Sequence, residues 1–135
     1  MTTQLQSSRL AAADALLRAL SGQNFARIAS TMDTEAQLSA LLPHGLREFR
    51  GPDEIEAAFT RWFGDLDEFE LVEGEIDKVG PRLHLRWRAR VRGERLGAGW
   101  FSVEQQAYAD DDGADGRFSR MVLLCSGYCP EGGAR

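Results

Sequence analysis

Trp100-Phe101-Ser102-Val103-Glu104-Gln105-Gln106-Ala107-Tyr108 and Arg117-Phe118-Ser119-Arg120-Met121-Val122-Leu123-Leu124-Cys125-Ser126-Gly127-Tyr128 read as two long strands, with a tight turn at Asp115-Gly116 between them. Just upstream, Arg82 to Arg92 alternates without a break. Leu83, Leu85, Trp87, Ala89 and Val91 fall on one side, and Arg82, His84, Arg86, Arg88, Arg90 and Arg92 on the other. Phe69 to Val79 is a further strand, bent near Gly74. The second half of the chain is therefore a sheet.

The first half has a different period. Leu10, Ala13, Leu16, Leu17 and Leu20 form a helical stripe over Ser8 to Leu20, with Ser7 or Ser8 as cap and Ser21-Gly22 as stop. Asn24 to Met32 reads as a short helix with Phe25, Ile28, Ala29 and Met32 on one face. Gln37 to Leu42 and Gly45 to Arg50 are short extended pieces joined by the turn Pro43-His44-Gly45. A third helix opens at Gly51-Pro52-Asp53-Glu54, where proline and acids suit the unpaired amides, and it buries Ile55, Ala58, Phe59, Trp62 and Phe63 before Gly64. Helices first and a long sheet last give an α+β fold: a cone of three helices on a curved, mostly antiparallel sheet, enclosing a small-molecule pocket. One domain is expected over residues 1–135, with an ordered core from about 8 to 130.

Composition narrows the function. The chain has 135 residues, 43% hydrophobic and 27% charged, with a net charge of -5. A domain of this size buries roughly 65–70% of its unfolded surface and needs no metal or disulfide to fold. The negative charge argues against a general nucleic-acid binder, which works by displacing counterions with basic groups. No apolar run reaches the length of a membrane span, and no secretory signal is visible, so a cytoplasmic protein is expected. The two cysteines, Cys125 and Cys129, read as reduced thiols. No metal or organic cofactor is called for: His44 and His84 are not spaced as a metal pair, and Asp110 to Asp115 lacks the pattern of a calcium loop.

The order of elements, with Gly51-Pro52-Asp53-Glu54-Ile55, Val103-Glu104-Gln105 and the closing run through Ser126-Gly127-Tyr128, resembles the nuclear-transport-factor-2-like superfamily. That group includes ketosteroid isomerases and SnoaL-like polyketide cyclases. The resemblance spans about residues 8 to 130. The isomerase pattern does not carry over whole. Its tyrosine would fall near Leu16 and its general base near Ser39 or Ala40, none of which has the required group. Its pocket carboxylic acid would align with Glu104.

The resemblance therefore implies that Glu104 faces a cavity formed with Leu16, Phe59, Trp62, Leu83, Leu85, Trp87, Met121, Leu123 and Cys125. A carboxylate there would lose hydration, rise in pKa and serve as a hydrogen-bond donor or general acid. The competing reading pairs Glu104 with Arg86 or Arg88 across the sheet. The arginine row also has two readings. It can pair with Glu70, Glu73, Glu75 and Asp77 on the neighbouring strand, or face a second copy and make a homodimer through the sheet. His44 is a solvated turn residue or a proton shuttle at the pocket mouth. The functional expectation is a domain that binds a small apolar, oxygen-bearing ligand. Acid–base catalysis by Glu104 is one extension of it, and a non-catalytic binding or dimerisation module is the other.

Overall fold

The computed structural model describes residues 2–111 and 116–131. In chain order it has α1 (Thr2–Ser21), α2 (Phe25–Ala29), β1 (Met32–Leu42), β2 (Gly45–Arg50), α3 (Gly51–Phe63), β3 (Glu68–Val79), β4 (Arg82–Arg92), a 3-10 turn at Glu94–Leu96, β5 (Phe101–Asp111), β6 (Phe118–Cys125) and β7 (Cys129–Pro130). The strands form one sheet in the order β2-β1-β6-β5-β4-β3, with the short β7 on β5. All pairings are antiparallel except β1 with β6. The α+β class and the mostly antiparallel sheet agree with the sequence. The helices are not all N-terminal to the sheet, because the β1–β2 hairpin lies between α2 and α3.

Alternation decides which face is which. On β4, Leu83, Leu85, Ala89 and Val91 are 0% exposed and Trp87 is 1% exposed. Register carries that inner face across the sheet, because Leu85 stands opposite Ala107 and Trp87 opposite Gln105. Val103, Gln105, Ala107 and Ala109 of β5 and Met121 and Leu123 of β6 are accordingly buried. Ala13, Leu16 and Leu20 of α1 and Ile55, Phe59 and Phe63 of α3 close over them as one apolar cluster. Its burial is the main stabilising contribution. At Gly74, where a bend was expected, a Cβ would stand 3.3 Å from Leu17, so the missing side chain lets α1 approach β3. The register of β3 shifts beside it, between Leu71 and Glu73.

Several element ends differ from expectation. α1 starts at Thr2 rather than Ser8, since the Gln- and Leu-containing lead continues a helix well. α2 stops at Ala29, where Thr31 Oγ1 donates to the Ile28 carbonyl at 2.7 Å and Met32 already belongs to β1. β5 runs to Asp111 instead of stopping at Tyr108. β6 ends at Cys125, because Gly127 has a φ of 80 and turns the chain away from the ladder. The turn expected at Asp115-Gly116 and the tail beyond Glu131 lie outside the described residues, Gly116 excepted. Among the described residues, no helix is long and apolar enough to cross a membrane.

Candidate functional site

The pocket sits at one end of the sheet and is built by four pieces of chain. Leu42, Pro43 and His44 come from the β1–β2 turn, and Trp62 and Phe63 from the last turn of α3. Gln105 comes from β5. Cys125, Ser126, Gly127 and Tyr128 come from the end of β6 and the turn after it. Its volume is about 390 Å³, enough for a small organic molecule.

The α3 wall is held by its own carbonyls. A helix leaves its last carbonyls without intrahelical partners. Here Gln23 Nε2 donates to the Phe63 carbonyl at 3.1 Å. Arg95 Nη2 donates to the Trp62 carbonyl at 2.7 Å and to the Arg61 carbonyl at 3.4 Å. The Tyr128 hydroxyl also donates to the Trp62 carbonyl. Arg95 is itself anchored by Asp65, at 2.8 Å, and lies 5.6 Å from the Tyr128 ring centroid. Burial pushes the Tyr128 phenol above its ordinary pKa, against the opposing pull of Arg95. Trp62 is fixed further by edge contacts with Phe59, Phe49 and Phe63, at centroid distances of 5.0, 6.2 and 6.4 Å.

The opposite lip is a close backbone contact. Gly127 has positive φ, and a Cβ on it would stand 2.7 Å from Pro43 Cγ. Ser126 Oγ accepts from the Glu104 amide at 2.9 Å and donates to the Gly127 carbonyl at 2.8 Å, which sets the turn. The Gly127 amide points at Cys125 Sγ, 3.4 Å away. Cys125 and Cys129 are both free thiols.

Gln105 is the polar group of the inner wall. It is 1% exposed. Its Oε1 accepts from Trp87 Nε1 at 2.9 Å. An indole nitrogen can only donate, so this bond fixes the amide with its oxygen toward β4. Gln105 Nε2 is buried and has no hydrogen-bond partner among the described residues.

Glu104 is not in the pocket. It lies on the outer face, opposite Arg88 in the register, and accepts from Arg86 Nη1 at 3.0 Å with 43% of its side chain exposed. The burial on which a general-acid role rested is absent, and the ion-pair reading of this residue is the one realised. Leu16, Phe59, Leu83, Leu85, Trp87, Met121 and Leu123, expected as ligand contacts, fill the interior and do not line the pocket. Of the expected contacts, Trp62 and Cys125 do line it. His44 is exposed at the mouth. Gln105 and Tyr128 were missed. For Gln105 the signal was present, since Val103, Gln105, Ala107 and Ala109 share one side of a strand whose other side is polar.

The arginine row pairs within the chain. Arg86 reaches Glu73, Glu75 and Glu104, Arg88 reaches Glu73, Arg90 reaches Glu70 and Glu131, Arg92 reaches Glu68, and Arg82 reaches Asp110. Arg88 holds the Glu73 carboxyl below its ordinary pKa, and Arg90 does the same to Glu131. Asp77 stands opposite His84, whose Nε2 lies 3.0 Å from Gln106 Oε1. Among the described residues no cluster of three or more His, Cys, Asp or Glu is arranged to hold a metal ion.

No protein-family model matches the sequence. No curated protein matches it either. Solved structures do. A phenazine biosynthesis-related protein from Pseudomonas aeruginosa superposes with a TM-score of 0.68 at 10% identity, over 93% of this chain and 86% of that one. A candidate polyketide cyclase from Xanthomonas campestris gives 0.69 at 12% identity, over 89% and 91%. A protein of ketosteroid isomerase-like fold from Catenulispora acidiphila, solved with trimethylamine, gives 0.67 at 12% identity, over 83% and 82%. Identities this low speak for the fold and not for the activity. The chain has the nuclear-transport-factor-2-like fold, shared with SnoaL-like and ketosteroid isomerase-like proteins.

Proposed function

We propose that this chain binds a small, mostly apolar molecule in the pocket between the end of α3 and the turn after β6. The observation that carries the proposal is the pocket itself: about 390 Å³, walled by Trp62, Phe63, Leu42 and Pro43, with a single buried amide on its inner side. Few polar groups on an apolar lining is the usual composition of a ligand site. The neighbours named as cyclases and isomerase-like proteins also bring a catalytic reading. It has less support here. Its carboxylate, Glu104, is on the other face of the sheet, and among the described residues no Asp or Glu lines the pocket. The Tyr128 hydroxyl is committed to a backbone carbonyl, which leaves exposed His44 as the group best suited to move a proton.

Cys125 provides the test. In a Cys129→Ser protein, a ligand found by thermal shift should slow alkylation of Cys125, and prior alkylation should abolish binding. A stabilising ligand that leaves the Cys125 alkylation rate unchanged binds elsewhere, and the proposal fails.

The homodimer expected from the arginine row loses its original reason, since those charges are paired within one chain. A different feature of the same face supports it. Leu46, Leu41 and Leu124, at 57%, 49% and 46% exposure, are register neighbours across β2, β1 and β6, and Val122 and Tyr108 adjoin them. We propose that a second copy covers this apolar patch. Light scattering should give a dimer mass that Leu124→Glu reduces to a monomer. A monomer for the unmodified chain at micromolar concentration refutes it.

A further inference from the structure

Gln105 carries an unfilled hydrogen-bond capacity at a place where a ligand can fill it. In β5 it stands between two partners, Trp87 on β4 and Cys125 on β6. Cys125 lines the pocket and Trp87 does not. The indole takes the amide oxygen on the β4 side, at 2.9 Å. The amide cannot turn over without setting its two donor hydrogens against the indole N–H. The free N–H₂ is thereby turned from the indole, and Gln105 is itself a lining residue of the pocket. A buried amide donor without a partner is costly, and native proteins keep few of them.

The charge of the lining narrows the ligand further. Leu42, Pro43, Trp62 and Phe63 are apolar, and none of the described lining residues is Asp, Glu, Lys or Arg. Arg95, whose guanidinium caps the α3 wall, is engaged by Asp65 and by the carbonyls of α3. Past exposed His44 at the mouth, a carboxylate or ammonium reaching the inner wall would lose its hydration and meet no fixed charge among the described lining residues. We infer that the pocket selects an uncharged ligand with a hydrogen-bond-accepting oxygen, such as a carbonyl compound, and that Gln105, held in one orientation by Trp87, makes that selection. The inference rests on the pocket being a ligand site and specifies what that site prefers. Gln105 touches the ligand, and Trp87 is a positioning residue acting through it.

Three probes of one shape test this by equilibrium dialysis: 2-acetylnaphthalene, its alkene isostere 2-isopropenylnaphthalene, and 2-naphthoate. The ketone should bind about tenfold tighter than the alkene, the difference expected of one well-placed hydrogen bond to a buried donor, and the carboxylate should bind worst. Gln105→Met, of similar length but with no donor, should bring the ketone-to-alkene affinity ratio down to about one. Trp87→Phe should shrink the ketone-to-alkene ratio, whereas a merely structural effect would weaken both probes equally. The ratio in the unmodified protein is decisive without any variant. Equal binding of ketone and alkene, an unchanged ratio in Gln105→Met, or tightest binding of naphthoate overturns the inference and leaves the pocket reading standing. Failure of all three probes to bind removes the pocket reading and the inference with it.

Discussion

Leu85→Ala tests whether the interior of this domain is solid where a cavity was expected. Leu85 is 0% exposed on a central strand, between Ile76 of β3 and Ala107 of β5 in the register. Its cross-strand neighbour Ala107 is small and cannot reach into the space that the leucine fills. Removing three carbons forfeits about 2.4 kcal/mol of transfer free energy at about 0.8 kcal/mol per carbon. The void left in a packed cluster raises the loss to about 3–5 kcal/mol. For a chain of this size about 3–5 °C accompanies each kcal/mol, so the melting temperature should fall by roughly 9–25 °C. Circular dichroism melts of the two proteins measure it. A folded variant melting within about 3 °C of the parent would refute the reasoning, because the truncation would then have opened no new space. It would mean that the cavity extends inward to β4.

Glu104→Gln should leave the melting temperature within about 2 °C and ligand affinity unchanged, because Arg86 keeps Glu73 and Glu75 on an exposed face; a large loss of binding would restore Glu104 to the site. Gly127→Ala should cost about 1–2 kcal/mol from the left-handed backbone alone, and the contact with Pro43 should displace the lip and weaken binding; unchanged melting and affinity would show that the lip does not shape the pocket. The Tyr128 phenol is raised by burial, so the folded chain keeps it neutral above pH 10.0, where the unfolded chain ionises. The stability tied to it is full below that pH and is lost as pH rises through the folded value. Phenolate absorbance, compared with Tyr128→Phe, should show the residue titrating late in the folded protein, and a titration at or below the ordinary value would contradict its burial.

The sheet was readable because its alternation is strict. A row of arginines opposite a row of apolar residues leaves one way to place β4. The same alternation, carried to β5, puts Gln105 inside and Glu104 outside. The family resemblance pointed one residue away, and a one-residue slip exchanges the faces of a strand. The pocket lining was hidden for a different reason. Trp62, Gln105 and Tyr128 meet only when the end of α3, the middle of β5 and the turn after β6 are brought together, and no local period reports that meeting. The capping of α3 by Gln23, Arg95 and Tyr128 likewise joins residues 33 to 66 positions apart.

That capping makes the two sides of the pocket mechanically unequal. The α3 side is a fixed jaw, because moving Trp62 outward would break bonds from two side chains to its carbonyl and disturb its aromatic contacts. The facing side is a movable jaw: a short turn resting on one glycine by van der Waals contact with Pro43. A ligand too large for the gap should displace the turn and leave the helix in place. Changes at residues 43–45 should therefore tune the size of ligand accepted at little cost to the core.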